Sequence, residues 1–170
     1  STGAFDKLNT RLNGQGKGGS VGEVLLLCDP APIELGNRVW RDGNGNGVQD
    51  PGEAPMSGIT VTLHGPTGTL ASAITAADGT YYFGSQNGAS TASEQRGVPL
   101  AAATQYTLSV SAGVMVAGEW MYLTVQNSTG DSSNDTLADV LDSDVDAVSG
   151  LLVLTTTVAG ANNHGLDIGY

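Results

Sequence analysis

From Leu35 onward, apolar side chains alternate with polar or small ones in short runs bounded by turn residues. Leu35-Gly36-Asn37-Arg38-Val39-Trp40-Arg41 and Gly58-Ile59-Thr60-Val61-Thr62-Leu63-His64 are the clearest examples. The second has a period of two and β-branched residues, the pattern of a half-buried strand. Strands are predicted near 35–41, 58–64, 69–75, 80–83, 105–111, 120–126, 151–158 and 165–169. Asp78-Gly79, between Ala73-Ile74-Thr75 and Tyr81-Tyr82-Phe83, predicts a tight β-hairpin turn. Residues 84–99 and 127–150 show no periodicity and read as loops, the second strongly acidic. Strands at regular spacing with turn signals between them predict an all-β sandwich.

The start of the chain follows another pattern. Residues 1–20 are rich in glycine and polar side chains, carry Lys7, Arg11 and Lys17, and have no apolar face to bury, which predicts a flexible arm. Val21-Gly22-Glu23-Val24-Leu25-Leu26-Leu27-Cys28 is then a nearly continuous apolar run of strand length. Asp29-Pro30-Ala31-Pro32 ends it, because proline cannot continue a hydrogen-bonded ladder. The chain is therefore divided into an arm with an apolar strand, residues 1–32, and a sandwich domain, residues 33–170. Such a strand either caps the domain's own sheet edge or joins the sheet of a neighbour, so copies of the chain itself are the expected partners. Cys28 is the one cysteine. A buried small apolar residue is its preferred reading, over an intermolecular bridge or a reactive thiol.

A length of 170 residues suits one domain with a tail, or two small domains. The 25 glycines, with abundant Thr, Ser and Val, favour a turn-rich β fold over helices. Seventeen acidic residues against six basic ones give a net charge of −11. That balance disfavours nucleic acid and anionic membrane surfaces as partners and suits divalent cations. No run of eighteen apolar residues exists, so no transmembrane helix and no membrane insertion are expected. No signal peptide is visible and the chain lacks an initiator Met, which fits a mature, processed or excised product.

Residues 42–53 hold the most specific chemistry. Asp42, Asn44, Asn46, Asp50 and Glu53 fall at loop positions 1, 3, 5, 9 and 12, with Gly47 at position 6. That is the spacing of a twelve-residue EF-hand-type Ca²⁺ loop. Asp42, Asn44 and Asn46 would each supply one oxygen and Val48 its carbonyl. Asp50 would act directly or through water, and Glu53 would close the site with both oxygens. A Gly/Asn turn cluster is the alternative, but it leaves Asp50 and Glu53 unexplained. Flanked by strands, the loop has no helix pair to open, so the ion would stiffen the fold rather than switch it. A candidate second calcium site is Asp142, Asp144 and Asp146, which would share one face of a strand and repel one another unless a cation neutralised them. Asp131, Asp135 and Asp139 lie upstream, and Asp167 would complete the set. A solvated acidic loop is the alternative.

These motifs, taken in order, resemble a known family. Leu35 to Asp42 with the following loop, then Gly58 to Leu63, resembles the opening of an SdrD B-like domain, a Cna-B-related, immunoglobulin-like sandwich of bacterial surface adhesins. Ala77-Asp78-Gly79-Thr80-Tyr81-Tyr82-Phe83 is similar to the family's DxxGxYxF segment with a shortened turn. Asp142-Ser143-Asp144-Val145-Asp146 is similar to its DSDxD segment, and Leu166 to Tyr170 to its closing strand. The resemblance covers about 33–170 and implies a calcium-stabilised sandwich of seven to eight strands serving as a stalk or spacer. Related Cna-B modules carry a Lys–Asn isopeptide bond, but Lys7 and Lys17 are the only lysines here and both lie in the arm. No such bond is expected within the sandwich. The 84–99 loop is also longer than the family suggests.

Other chemistry is thin. His64 and His164 lack partner spacing and read as surface or strand-face residues. No nucleophile elbow, metalloprotease helix or phosphate loop occurs, so no enzyme is expected, although paired carboxylates of a glycosidase remain conceivable from sequence. Trp40 and Trp120 would make a sugar-stacking platform if both were exposed, but core packing is preferred, since Trp40 abuts the loop. Asn127 and Asn134 head glycosylation triplets, which short sequences match by chance. The reading is an extracellular or cell-surface, calcium-stabilised structural protein, assembling into a filament or matrix fibre through its arm. A stalk module of an adhesin, with a glycan or host-surface ligand, and an accessory domain of a polysaccharide-acting enzyme are the alternatives.

Overall fold

The computed structural model describes residues 31–130 and 140–170. The arm, the apolar run 21–28 with Cys28, and Asp131, Asn134, Asp135 and Asp139 lie outside them. The described residues form strands and loops without a helix. The strands are β1 (Glu34–Trp40), β2 (Thr60–Gly65), β3 (Gly68–Ile74), β4 (Thr80–Gly84), β5 (Glu94–Gln95) and β6 (Gln105–Ser109). They continue with β7 (Gly113–Val116), β8 (Glu119–Tyr122), β9 (Leu151–Thr155), β10 (Asn162–Asn163) and β11 (Ile168–Gly169).

One sheet has β1 at its centre, with β4 antiparallel on one side and β10 and β11 both parallel to it on the other. β5 extends that sheet beyond β4. The second sheet runs β3-β2-β6-β9, antiparallel throughout, and β7 with β8 forms a separate hairpin. Alternation explains the packing. Leu35, Val39, Tyr81 and Phe83 face inward from the first sheet, and Val61, Leu63, Tyr106, Leu108, Leu152 and Leu154 from the second, in one buried cluster. The fold is the expected all-β sandwich. Trp40 is fully buried at one end of β1, where Tyr170 N–H bonds its carbonyl at 3.0 Å.

Three expectations change. The Asp78-Gly79 turn forms, with Asp78 Oδ1 accepting Thr80 N–H at 3.1 Å, but it does not make a hairpin. β3 and β4 belong to different sheets. Gly79 decides the matter. Its φ is +81°, and a Cβ there would stand 2.3 Å from the Val39 carbonyl, so the turn lies flat against β1 and delivers β4 to it. At the other end, Thr75 is buried and bonds Met56 O at 2.7 Å and Ile59 N at 2.9 Å, which fixes β3 in the opposite layer. The 84–99 loop also contributes a strand, β5, parallel to β4. Finally, the run predicted at 120–126 narrows to β8, which pairs with an unpredicted β7 across Ala117 (φ 52°) and Gly118 (φ 90°). Two successive positive φ values are what a two-residue hairpin of matching twist requires.

Leu108 is fully buried between both sheets. Leu108→Ala should lower unfolding stability by about 2–5 kcal/mol, seen as a fall in the urea midpoint with an unchanged slope.

Candidate metal centre

The loop between β1 and β2 folds back on its own side chains. Asp42 is the organising residue: its Oδ1 accepts N–H from Gly45 at 2.7 Å and Asn46 at 3.3 Å, and its Oδ2 accepts Gly47 N–H at 2.7 Å. The Thr124 hydroxyl donates to the same Oδ2 at 2.5 Å. Asn44 and Asn46 both turn their amide nitrogens onto Asp50 Oδ2, at 2.8 and 2.9 Å. Glu53 reaches across the loop, accepting Gly43 N–H at 2.8 Å and Asp50 N–H at 3.0 Å. All five oxygen-bearing side chains of the motif therefore take part in one closed network. Gly47, at φ +77°, turns the backbone where a Cβ would lie 2.4 Å from the Val125 carbonyl.

Partial burial pushes the Asp42 carboxyl up, and the hydrogen bonds from Thr124, Gly47, Gly45 and Asn46 outweigh it, leaving the group below its ordinary value of 3.8.

A second acidic segment lies directly against this loop. Val48 forms an antiparallel bridge with Asp142, flanked by Gln49 N–H to Leu141 O at 2.6 Å and Ser143 N–H to Gly47 O at 3.0 Å. Asp142 is fully buried, with Oδ2 held by Thr129 N–H at 2.8 Å and the Thr129 hydroxyl at 2.7 Å. Its Oδ1 is buried and has no hydrogen-bond partner among the described residues. Asp144, also fully buried, accepts Asp167 N–H on Oδ2 at 2.5 Å. Asp167 in turn accepts Arg38 N–H on Oδ1 at 3.0 Å. The strand on which Asp142, Asp144 and Asp146 were to share a face is not formed, since only Asp142 and Ser143 make isolated bridges. Asp146 instead caps a turn, accepting Ser149 N–H at 2.7 Å and the Ser149 hydroxyl at 2.6 Å, and these bonds hold its carboxyl low.

Residues 124–129 link the two segments. Thr124 bonds Asp42, Thr129 bonds Asp142, and Gln126 Nε2 donates to Asp144 O at 2.7 Å. Sequence reasoning gave no site role to Thr124, Thr129 or Ser143, whose hydroxyl accepts Gly169 N–H at 3.1 Å. Their one signal is a polar segment between strands. Among the described residues, no three His, Cys, Asp or Glu side chains form a ready-made metal cluster. What the loop offers is a mixed set of carboxylates, amides and carbonyls. His64 bonds Ser109 and Thr69 on the strand face, and His164 bonds Glu34 at 2.8 Å beside the Tyr82 ring. Asn127 is half-buried, with its N–H on Ser143 O at 2.8 Å.

A family model described as the SdrD B-like domain matches residues 33–170. The chain belongs to the SdrD B-like domain family. Serine-aspartate repeat-containing protein D of Staphylococcus aureus (strain Newman) is 48% identical over 50 residues, 29% of this chain and 4% of that protein. Colossin-A of Dictyostelium discoideum is 44% identical over 55 residues, 32% of this chain and 0% of that protein to the nearest percent. Colossin-C of the same organism is 43% identical over 70 residues, 40% of this chain and 7% of that protein. The chain thus spans less than a tenth of these relatives' length. In this SdrD B-like domain the matched region begins one residue before β1 and ends with Tyr170, whose carbonyl accepts Asp42 N–H at 2.7 Å. The closing strand and the loop are therefore directly joined.

Asp42 gives a pH prediction for chelator-treated protein. A carboxyl lowered in the folded state contributes stability that is fully present above the ordinary aspartate value and lost as pH falls through the lowered one. Stability should therefore fall on acidification below about pH 4, and Asp42→Asn should flatten that slope in urea titrations.

Proposed function

We propose that this SdrD B-like domain is a calcium-stabilised structural module of an extracellular or cell-surface protein, and that copies assemble through residues 1–28. The observation that carries the calcium reading is the closed network of Asp42, Asn44, Asn46, Asp50 and Glu53. Two amide N–H groups donate to one oxygen of Asp50, a position that a cation would take. Each of those amides carries an oxygen on the same carbon, so the donor set has the hard-oxygen chemistry that Ca²⁺ takes. The buried Oδ1 of Asp142, without a hydrogen-bond partner among the described residues and one bridge away from Val48, fits a second cation. Asp42, Asn44, Asn46, Val48, Asp50 and Glu53 would hold the first ion, and Asp142 with Asp144 the second. Asp146 is occupied with its own turn and is the weakest of the proposed ligands.

The ion would supply charge neutralisation and cross-linking, with no chemistry on a substrate. It would tie the β1–β2 loop to residues 124–129 and 142–144, which meet it through polar bonds. Millimolar calcium outside cells suits such a role, because even weak loops fill there. The SdrD B-like family is a structural domain rather than an enzyme family, and its relatives include repeat-containing proteins many times longer than this chain. That favours a stalk, spacer or fibre role.

Assembly through the arm rests on two features. Residues 21–28 are apolar and of strand length. Among the described residues, β9 lies at an edge of its sheet and turns Leu151 (42% exposed) and Val153 (54% exposed) outward, offering a ladder and an apolar face to an incoming strand.

Calcium at a hundredfold excess over its dissociation constant should raise the melting midpoint by roughly 5–10 °C relative to EGTA; an unchanged midpoint overturns the stabilising role. Separately, deletion of residues 1–28 should abolish filaments seen by negative-stain electron microscopy while leaving the calcium-dependent midpoint intact. Filaments that survive the deletion would rule out the arm.

A further inference from the structure

The β7–β8 hairpin stands apart from both sheets and has two unlike faces. Val114, Val116 and Met121 pack against the core. The opposite face carries Met115, Trp120 and Tyr122, exposed to 60%, 59% and 67%. Exposed aromatic surface of this kind marks a contact site more often than chance. Cross-strand pairing of Met115 with Trp120 and Gly113 with Tyr122 puts these groups on one side of the ribbon. Gly113 matters here: the Tyr122 ring lies over it, 3.1 Å from where a Cβ would sit, so the ring is held down against the hairpin. The Trp120 and Tyr122 rings are near-parallel, at 19° with centroids 6.4 Å apart. Trp40, the other tryptophan, is fully buried, so the exposed aromatic pair is one tryptophan and a tyrosine on the same strand.

Beside this face runs an open groove of about 740 Å³. Trp120 and the apolar side chains of β7 line it, Ser57, Thr60, Thr62, Ser109 and Ser111 supply hydroxyls, and Tyr122 lies just beyond it on the same face as Trp120. No residue lining it is charged, although the chain carries 23 charged residues, 17 acidic and 6 basic. That selects among ligands. A phosphate or nucleic acid would need Lys or Arg, and a cation would need carboxylates. Aromatic faces carry negative charge density that attracts the slightly positive C–H groups of a pyranose ring. Hydroxyl-bearing walls exchange hydrogen bonds with sugar hydroxyls, directly or through water. The groove volume lies within the range of sites that bind small ligands.

We propose that the groove and the Trp120–Tyr122 face bind a neutral, linear oligosaccharide, stacked on the two rings and hydrogen-bonded by the Ser and Thr row. The site shares no residue with the 42–53 loop, so it stands or falls independently of the calcium reading. Cellohexaose and chitohexaose are the probes, titrated into the full chain in calcium-containing buffer with tryptophan emission and calorimetry as readouts. Because Trp40 is buried, only Trp120 can respond to a surface ligand. Saturable binding at millimolar sugar or below, with a blue shift of emission, is the expected result. Trp120→Ala should weaken binding about tenfold or more and abolish the shift, and its melting midpoint should stay that of the parent because the side chain is exposed. Tyr122→Ala should weaken binding by a smaller factor. Failure of both sugars to bind, or equal binding by Trp120→Ala, overturns the proposal. So does finding that the face only joins copies of the chain, as a mass that rises with concentration and is unaffected by either sugar.

Discussion

Two carboxyl-bearing side chains, Asp142 and Asp144, are fully buried on one short segment, and Asp167 is 1% exposed beside them. Carboxylates leave water at a high cost unless hydrogen bonds or opposite charge replace the lost hydration. This end of the sandwich is arranged around that requirement. Thr129 turns both its N–H and its hydroxyl to Asp142, Asp167 gives its N–H to Asp144, and Arg38 gives its N–H to Asp167. β1, the 124–129 segment and the closing strand are each brought to this point by at least one such bond, and the β1–β2 loop by the backbone bonds flanking Val48 and Asp142. An apolar core holds the two sheets together, but polar bonds decide how the loops meet.

The division of labour is spatial. Strand-borne apolar residues make a scaffold whose packing is indifferent to chemistry. The acidic and amide side chains of the candidate metal centre lie mainly on the connections, where backbone is least constrained by the sheets. Membership of the SdrD B-like family accounts for the scaffold. The buried acidic segment and the exposed aromatic hairpin face sit at separate places on it.

Much of this was legible beforehand, for identifiable reasons. β1, β2, β3 and β4 were found because each alternates over several residues, and the twelve-residue loop because its spacing is dictated by the side chains that must meet. The pairing of β3 and β4 was misread because Asp78-Gly79 has the same local signature in a hairpin and in a crossing between layers. Only the contact of Gly79 with Val39, 40 residues away, separates the two. β5, β10 and β11 are two residues long and carry no period to detect; they are strands only because β4 and β1 are there to pair with them. Alternating aspartates at 142, 144 and 146 implied a shared face, but each found its own donor once the segment was pinned to Val48 and Gln126. Core packing was preferred for the two tryptophans because Trp40 abuts the loop, and it holds for Trp40 but not for Trp120, whose side chain faces outward together with Met115.

The parallel placement of β10 and β11 along β1 has a mechanical consequence. Glu34 pairs with Asn162 at one end of β1, and Trp40 with Gly169 at the other. The first described strand and the last therefore run in the same direction, so their outer ends point to opposite poles of the domain. Tension drawn between those poles slides β11 along β1 instead of peeling it away. The hydrogen bonds of that seam, together with Asp42 to Tyr170 and Tyr170 to Trp40, then lie across the line of force and must yield together.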